Sequence, residues 1–197
     1  MRLIKFISIA GLSSVLLFAC TLKNSENSGG RDKTSTLNDS LVRFVDDTGY
    51  IVKVGDMAPD FEMNLPNGAN IILSSLRGKV VMLQFTASWC GVCRKEMPHI
   101  EKEIWNKHRN NPDFVLYGID REEPVEKINE LIQKTGVTYP IGLDPDASIF
   151  TLFAKREAGI TRNVIIDRDG RIVMLTRLFD ENEFKEMVQV IDGLLEI

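Results

Sequence analysis

The chain has 197 residues, with 24 Lys and Arg against 28 Asp and Glu, and a formal net charge of −4. At 44% hydrophobic and 26% charged residues it has ordinary globular composition, which excludes a disordered, collagenous or coiled-coil chain. The mild acidity, without a concentrated Lys/Arg block, argues against nucleic acid as a partner, and three cysteines are too few for a disulfide-stapled miniprotein.

Residues 1–20 read MRLIKFISIAGLSSVLLFAC. Arg2 and Lys5 form a basic start, and the apolar run Ile7 to Ala19 is shorter than the about 20 residues a spanning helix needs. The run ends in Leu17-Phe18-Ala19-Cys20, which is similar to the lipobox of bacterial lipoproteins. That resemblance implies a signal peptide over 1–19 and lipidation of Cys20 as the mature N-terminus; an ordinary cleaved signal or an uncleaved anchor is the alternative. Several acyl chains hold a protein stably on a membrane where a single one is marginal. Between residues 21 and 40 only Leu22 and Leu37 are apolar, too few to offset chain entropy. Residues 20–49 therefore read as a flexible tether and 50–197 as the folded domain.

Within that domain, Phe61 to Leu65 and Ile71 to Leu73 predict a hairpin around Pro66-Asn67-Gly68. Val80 to Phe85 is apolar except for Gln84, the pattern of a strand buried on both faces. A helix is expected from Cys90 to about His108, with Met97, Ile100 and Ile104 on one side. Phe114 to Asp120 reads as a second strand, Val125 to Lys134 as a second helix and Asp146 to Phe153 as a third. Strands at Val164–Ile166 and Ile172–Leu175 flank Asp169-Gly170, a tight-turn signal. Asp180 with Glu183 three residues on forms a capping pattern ahead of the stripe Phe184, Met187, Val188, Ile191, Leu194 and Leu195. The order predicts an α/β fold, a mixed sheet flanked by helices.

Cys90 and Cys93 sit where a buried strand turns into a helix. The free N–H groups and dipole of a helix start favour an anion, so the first thiol is expected to ionise near neutral pH and act as nucleophile. The second, inside the first turn, resolves the mixed disulfide. Half of a zinc site or a structural disulfide are the competing readings. Zinc wants four ligands, and the only histidines, His99 and His108, lie on one predicted helix.

The segment Phe85-Thr86-Ala87-Ser88-Trp89-Cys90-Gly91-Val92-Cys93-Arg94-Lys95-Glu96-Met97-Pro98 resembles the active-site stretch of TlpA/ResA-like thiol-disulfide oxidoreductases of the thioredoxin superfamily. The resemblance extends to Gly55-Asp56-Met57-Ala58-Pro59-Asp60-Phe61 and to Val164-Ile165-Ile166-Asp167-Arg168-Asp169-Gly170. It implies a thioredoxin-like fold with an N-terminal β-hairpin and a central αβ insertion, facing the bacterial periplasm from a membrane anchor. It also implies Cys90 as nucleophile, Cys93 as resolving thiol, the two as a redox-active disulfide, and Trp89 as a flat shield beside them. Glu96 matches an acidic position that tunes the thiols in some of these proteins; an exposed Glu simply favoured near a helix N-terminus is the alternative. Pro98 matches a helix kink.

Two positions depart from the superfamily pattern. The buried carboxylate usual six residues before the first Cys is here Gln84, which leaves Glu96 as the candidate proton acceptor for Cys93. The usual cis-proline position is Thr161, in Gly159-Ile160-Thr161-Arg162. A cis bond before a non-proline costs about 3 kcal/mol, so a trans bond is expected there. The Thr161-Arg162 pair resembles a peroxiredoxin stretch, which implies an Arg162 guanidinium beside the reactive sulfur, lowering its thiol pKa.

The leading expectation is an enzyme, a membrane-anchored extracytoplasmic thiol-disulfide oxidoreductase and disulfide reductant. It acts through Cys90 and Cys93 on the thiols and disulfides of exported proteins, with an unidentified redox donor, no cofactor, no metal and no nucleic acid. A thiol peroxidase of the AhpC/TSA peroxiredoxin type is the runner-up. A metal-binding or metallochaperone domain using Cys90, Cys93 and His99 is the non-enzymatic alternative.

Overall fold

The computed structural model describes residues 48–196. The predicted leader, Cys20 and nearly all of the predicted tether lie outside them. Seven strands form one mixed sheet: β1 (Glu62–Asn64), β2 (Asn70–Ile72), β3 (Val80–Thr86), β4 (Phe114–Arg121), β5 (Ile141–Asp144), β6 (Arg162–Ile166) and β7 (Ile172–Arg177), in the spatial order β2-β1-β5-β4-β3-β6-β7. β3, β4 and β5 run parallel, and β6 and β7 return antiparallel on the other side of β3.

Every residue of β3 is buried, as its apolar run demands of a strand covered on both faces. On one face Val80, Met82, Leu116 and Ile165 pack against three helices. These are α1 (Gly91–Ile100), through Met97 and Ile100; α2 (Val125–Thr135), through Ile128 and Leu131; and the C-terminal α4 (Glu181–Leu195), through Phe184, Met187 and Ile191. On the other face Val81, Leu83, Phe85 and Val164 meet Tyr50, Phe61, Leu73 and the short α3 (Phe150–Phe153).

The expected elements are in place, with three refinements, the first being that the helix expected over Asp146–Phe153 is helical only over Phe150–Phe153. The helix expected to run to His108 is α-helical only to Ile100; Glu101–Trp105 is a π-helical stretch before a last turn at Asn106–His108. Pro98 lies inside it, where a proline removes one helical hydrogen bond and crowds the preceding turn. The strand β5 is absent from the sequence reading. Its four residues, Ile141-Gly142-Leu143-Asp144, are too short to show a period, and only pairing with β4 and with the hairpin strand β1 makes them a strand. With α2, β5 supplies the αβ unit that joins hairpin to sheet. Gly142 allows that junction: a Cβ there would lie 2.2 Å from the Met63 sulfur.

The two strongest local signals hold. Gly170 closes the β6–β7 turn with φ of 86°, and Asp180 caps α4, accepting from the N–H groups of Asn182 (2.9 Å) and Glu183 (3.0 Å).

Candidate active site

β4 lies on one side of β3 and β6 on the other, so the chain leaving the C-terminal end of β3 emerges where the connections part. Such a switch point leaves a crevice at the strand ends. Ala87 to Trp89 make the turn, with the Cys90 N–H donating to the Ala87 carbonyl at 3.1 Å. Cys90 is then the N-cap of α1: its backbone is extended (φ −77°, ψ 106°) and its sulfur accepts the Cys93 N–H at 3.1 Å. The sulfur thus takes the place of the usual capping oxygen, at the positive end of the helix.

Cys90 and Cys93 form a disulfide with their Cα atoms 5.3 Å apart. The two residues are unequally covered: Cys90 keeps 7% of its surface exposed and Cys93 none. Three exposed apolar residues lie close by in the fold: Trp89 (60% exposed) and Val92 (38%), which neighbour the pair in sequence, and Leu178 (47%), whose N–H donates to the Thr161 carbonyl. Apolar side chains so placed can hold a visiting peptide while leaving the outer sulfur open to attack.

Thr161 closes the opposite wall. Its hydroxyl oxygen lies 3.2 Å from each of the two sulfurs, and its carbonyl accepts the Leu178 N–H at 3.1 Å. No cis peptide bond occurs among the described residues.

Behind Cys93, on the same side of α1, Glu96 is buried rather than exposed. Asn163 donates to one of its carboxyl oxygens at 2.7 Å, and Gln84 to the other at 3.4 Å. The Gln84 carbonyl in turn accepts the Tyr139 hydroxyl at 2.6 Å. Gln84 is thus a core amide with both ends satisfied, and one of them holds Glu96. Burial pushes the Glu96 carboxyl up to about 7, although the Asn163 and Gln84 hydrogen bonds pull the other way. A carboxyl poised there exchanges its proton near neutral pH, as a proton acceptor for a thiol must.

Arg162 is not beside the sulfurs. It is fully buried and pairs in register with Phe85, on the sheet face opposite α1. Its guanidinium lies 4.4 Å over the Tyr50 ring, its Nε donates to the Gly159 carbonyl at 2.9 Å, and a terminal nitrogen donates to the Thr48 carbonyl. The reason is strand alternation: with Thr161 directed at the disulfide, the next residue must face the other way. Arg162→Ala should therefore leave the thiolate titration of Cys90 unchanged while costing about 3 kcal/mol of stability through the lost buried stack and hydrogen bonds. Ultraviolet thiolate titration and urea melts check the two halves.

A pair of carboxyls, Asp120 and Glu123, escaped the sequence reading. Glu123, just ahead of α2, accepts the N–H of Ser88 and its hydroxyl (2.6 Å), two residues before Cys90. Arg94 donates to the Ser88 carbonyl, gripping the turn from its other side. Asp120, at the end of β4 and level with Thr86, is fully buried, its carboxyl against that of Glu123. Burial, reinforced by the neighbouring Glu123 carboxylate, pushes its carboxyl up to about 8.

Among the described residues no group of three or more His, Cys, Asp or Glu could hold a metal ion, and His99 is engaged by Glu103 at 3.3 Å and by the Phe179 ring.

Known proteins are similar to this chain in sequence and fold. The Redoxin family profile matches residues 53–191. Thiol-disulfide oxidoreductase ResA of Bacillus thuringiensis (strain Al Hakam) is 27% identical over 122 residues, covering 62% of this chain and 68% of ResA. A Bacteroides thetaiotaomicron protein solved in solution, and described provisionally as a protein disulfide isomerase, is 64% identical with a TM-score of 0.74, over 76% of this chain and 94% of that one. A Chlorobium tepidum structure, described provisionally as the thiol:disulfide interchange protein DsbE, shares the fold at 24% identity and a TM-score of 0.62, over 73% and 99% of the two chains. With a capped Cys-x-x-Cys pair on a thioredoxin-like sheet and these relatives, the chain belongs to the Redoxin family, as a TlpA/ResA-like thiol-disulfide oxidoreductase of the thioredoxin superfamily.

Proposed function

We propose that this protein is a membrane-anchored extracytoplasmic reductant of disulfides in exported proteins. The observation that carries the chemistry is the asymmetry of the pair: Cys90 caps a helix and reaches the surface, while Cys93 is sealed. The Cys90 thiolate attacks a substrate disulfide, forming a mixed disulfide and releasing one substrate thiolate. Cys93, losing its proton to Glu96, then attacks the Cys90 sulfur, forming the internal disulfide and expelling the second substrate thiolate. Two electrons pass from the dithiol to the substrate, and a separate dithiol donor restores the enzyme.

The reducing direction is supported by the charges about the pair. Among the described residues the sulfurs' hydrogen-bond partners are the Cys93 N–H and the Thr161 hydroxyl, not a Lys or Arg, and the ionisable group behind them is the acidic Glu96. A strong oxidant instead needs its thiolate heavily stabilised. Equilibration against dithiothreitol or glutathione buffers tests this: a potential near or below about −230 mV is expected, whereas a value near −120 mV would reverse the direction.

The anchor rests on the lipobox-like Leu17-Phe18-Ala19-Cys20, outside the described residues; among those described, no helix is long and apolar enough to cross a membrane. Cys20→Ser should shift the protein from the membrane to the soluble fraction, and retention on the membrane would refute lipidation. Of the pair Thr161-Arg162 that motivates the peroxidase reading, Thr161 meets the sulfurs while Arg162 stacks over Tyr50 on the face opposite α1. Thiol loss under hydrogen peroxide should be no faster than for free cysteine.

Glu96→Gln should slow release of product from the mixed disulfide by roughly 100-fold, the scale of a lost general base. In the native enzyme that step should speed up as pH rises through about 7, where Glu96 gives up its proton. In the variant the rise should vanish, as read by single-turnover kinetics from pH 5.5 to 8.5.

A further inference from the structure

The Thr161 hydroxyl is the one side-chain group recorded within hydrogen-bond reach of both sulfurs among the described residues, at the same 3.2 Å from each. Thr161 is 4% exposed, so water competes little for that hydroxyl. Its backbone is fixed on both sides: the Gly159 carbonyl is tied to the Arg162 Nε at 2.9 Å, and its own carbonyl accepts the Leu178 N–H at 3.1 Å. Leu178 holds a left-handed conformation, φ 66°, which a leucine adopts only against a steric cost. The hydroxyl is therefore held in place, with only its O–H rotor free to turn.

In the closed disulfide neither sulfur is a strong acceptor. On reduction one becomes a thiolate, and a hydrogen bond to an ionised acceptor is roughly twice as strong as a neutral one. During exchange the negative charge changes sulfur: it sits on Cys90 before the attack on substrate and on Cys93 before the attack that frees the product.

We propose that Thr161 is a catalytic residue whose single hydroxyl donates first to the Cys90 thiolate and then to the Cys93 thiolate, following the charge by rotation of its O–H while the oxygen stays put. No bond to Thr161 is made or broken and its proton stays on its oxygen; the electrons pass between sulfurs as described above. The sequential half of the proposal rests on the exchange reaction, but the donation itself can be read on the reduced protein without any substrate.

The test compares Thr161→Val, which keeps the shape and removes the donor, with Thr161→Ser, which keeps the donor. Near-ultraviolet circular dichroism of both oxidised proteins confirms the fold. In the reduced proteins, thiolate absorbance against pH gives the first ionisation. A hydrogen bond to a charged group is worth about 1.5–3 kcal/mol, so Thr161→Val should raise that midpoint by about one unit, and Thr161→Ser should stay within about 0.3. The dithiol–disulfide equilibrium should move about tenfold toward the disulfide in Thr161→Val, equivalent to about 30 mV in potential. A valine titration that overlays the native one, or equal shifts in valine and serine, would overturn the proposal. Native protein that reduces no protein disulfide, while the valine shift is present and the serine shift absent, would refute exchange and leave the hydroxyl's donation standing.

Discussion

Cys90→Ser should reduce disulfide-reductase activity by on the order of 10³-fold or more, whereas Cys93→Ser should accumulate mixed disulfides with its substrates. The difference follows from coverage. Cys90 keeps some exposed surface, and the Cys93 N–H donates to its sulfur, so it alone can meet an incoming disulfide as an anion. Cys93 has no exposed surface, so its route to reaction is the neighbouring sulfur, across a Cα separation of 5.3 Å. Removing it leaves the first step intact and the second impossible. Non-reducing electrophoresis of cell extracts should show substrate adducts in Cys93→Ser that dissolve on adding dithiothreitol and are missing in the double variant. Adducts formed equally by Cys90→Ser would reverse the roles.

Asp120→Asn should stabilise the oxidised protein at alkaline pH and leave it little changed at pH 5. Asp120 is fully buried, and its carboxyl meets that of Glu123. Its carboxyl is held up at about 8 in the fold, from an ordinary value of 3.8. The folded chain therefore binds a proton that the unfolded chain has already released between those two values. Linkage gives the sign: the stability tied to that proton is fully present below about pH 4 and is lost progressively as pH rises toward and through about 8. Asparagine carries no such proton, so its advantage over the native protein should grow to the order of 3 kcal/mol between pH 5 and pH 9. Urea unfolding at the two pH values measures it. Parallel losses in native and variant proteins would mean that Asp120 ionises freely and is not dry.

The same pair bears on the active site. Glu123 holds the N–H and hydroxyl of Ser88, and Arg94 holds its carbonyl, so the turn presenting Trp89 and Cys90 is fixed from two directions. A nucleophile on so short a turn needs that fixing, because small displacements cost large factors in rate.

Much of this protein could be read from its residues in order. The apolar run Val80 to Phe85 followed by Cys90-x-x-Cys93 places a strand, a turn and a helix start by local rules alone, and those rules put Cys90 at the helix start. Asp169-Gly170 and the Asp180 cap likewise depend only on neighbours a few residues away. Four-residue β5 was invisible because its identity lies in its pairing with β4 and β1, distant in sequence. The polar cluster of Gln84, Glu96, Tyr139 and Asn163 joins four separate elements, and no spacing along the chain announces it. The pair Thr161-Arg162 divides the two kinds of knowledge most sharply. Read as adjacent letters, both belonged at the sulfurs; in the sheet, the alternation of a strand sends Thr161 to the disulfide and Arg162 to Tyr50 on the other face. Chemistry set by a helix end is written locally, whereas which side chain meets which sulfur is decided only when strands far apart in the chain are laid side by side.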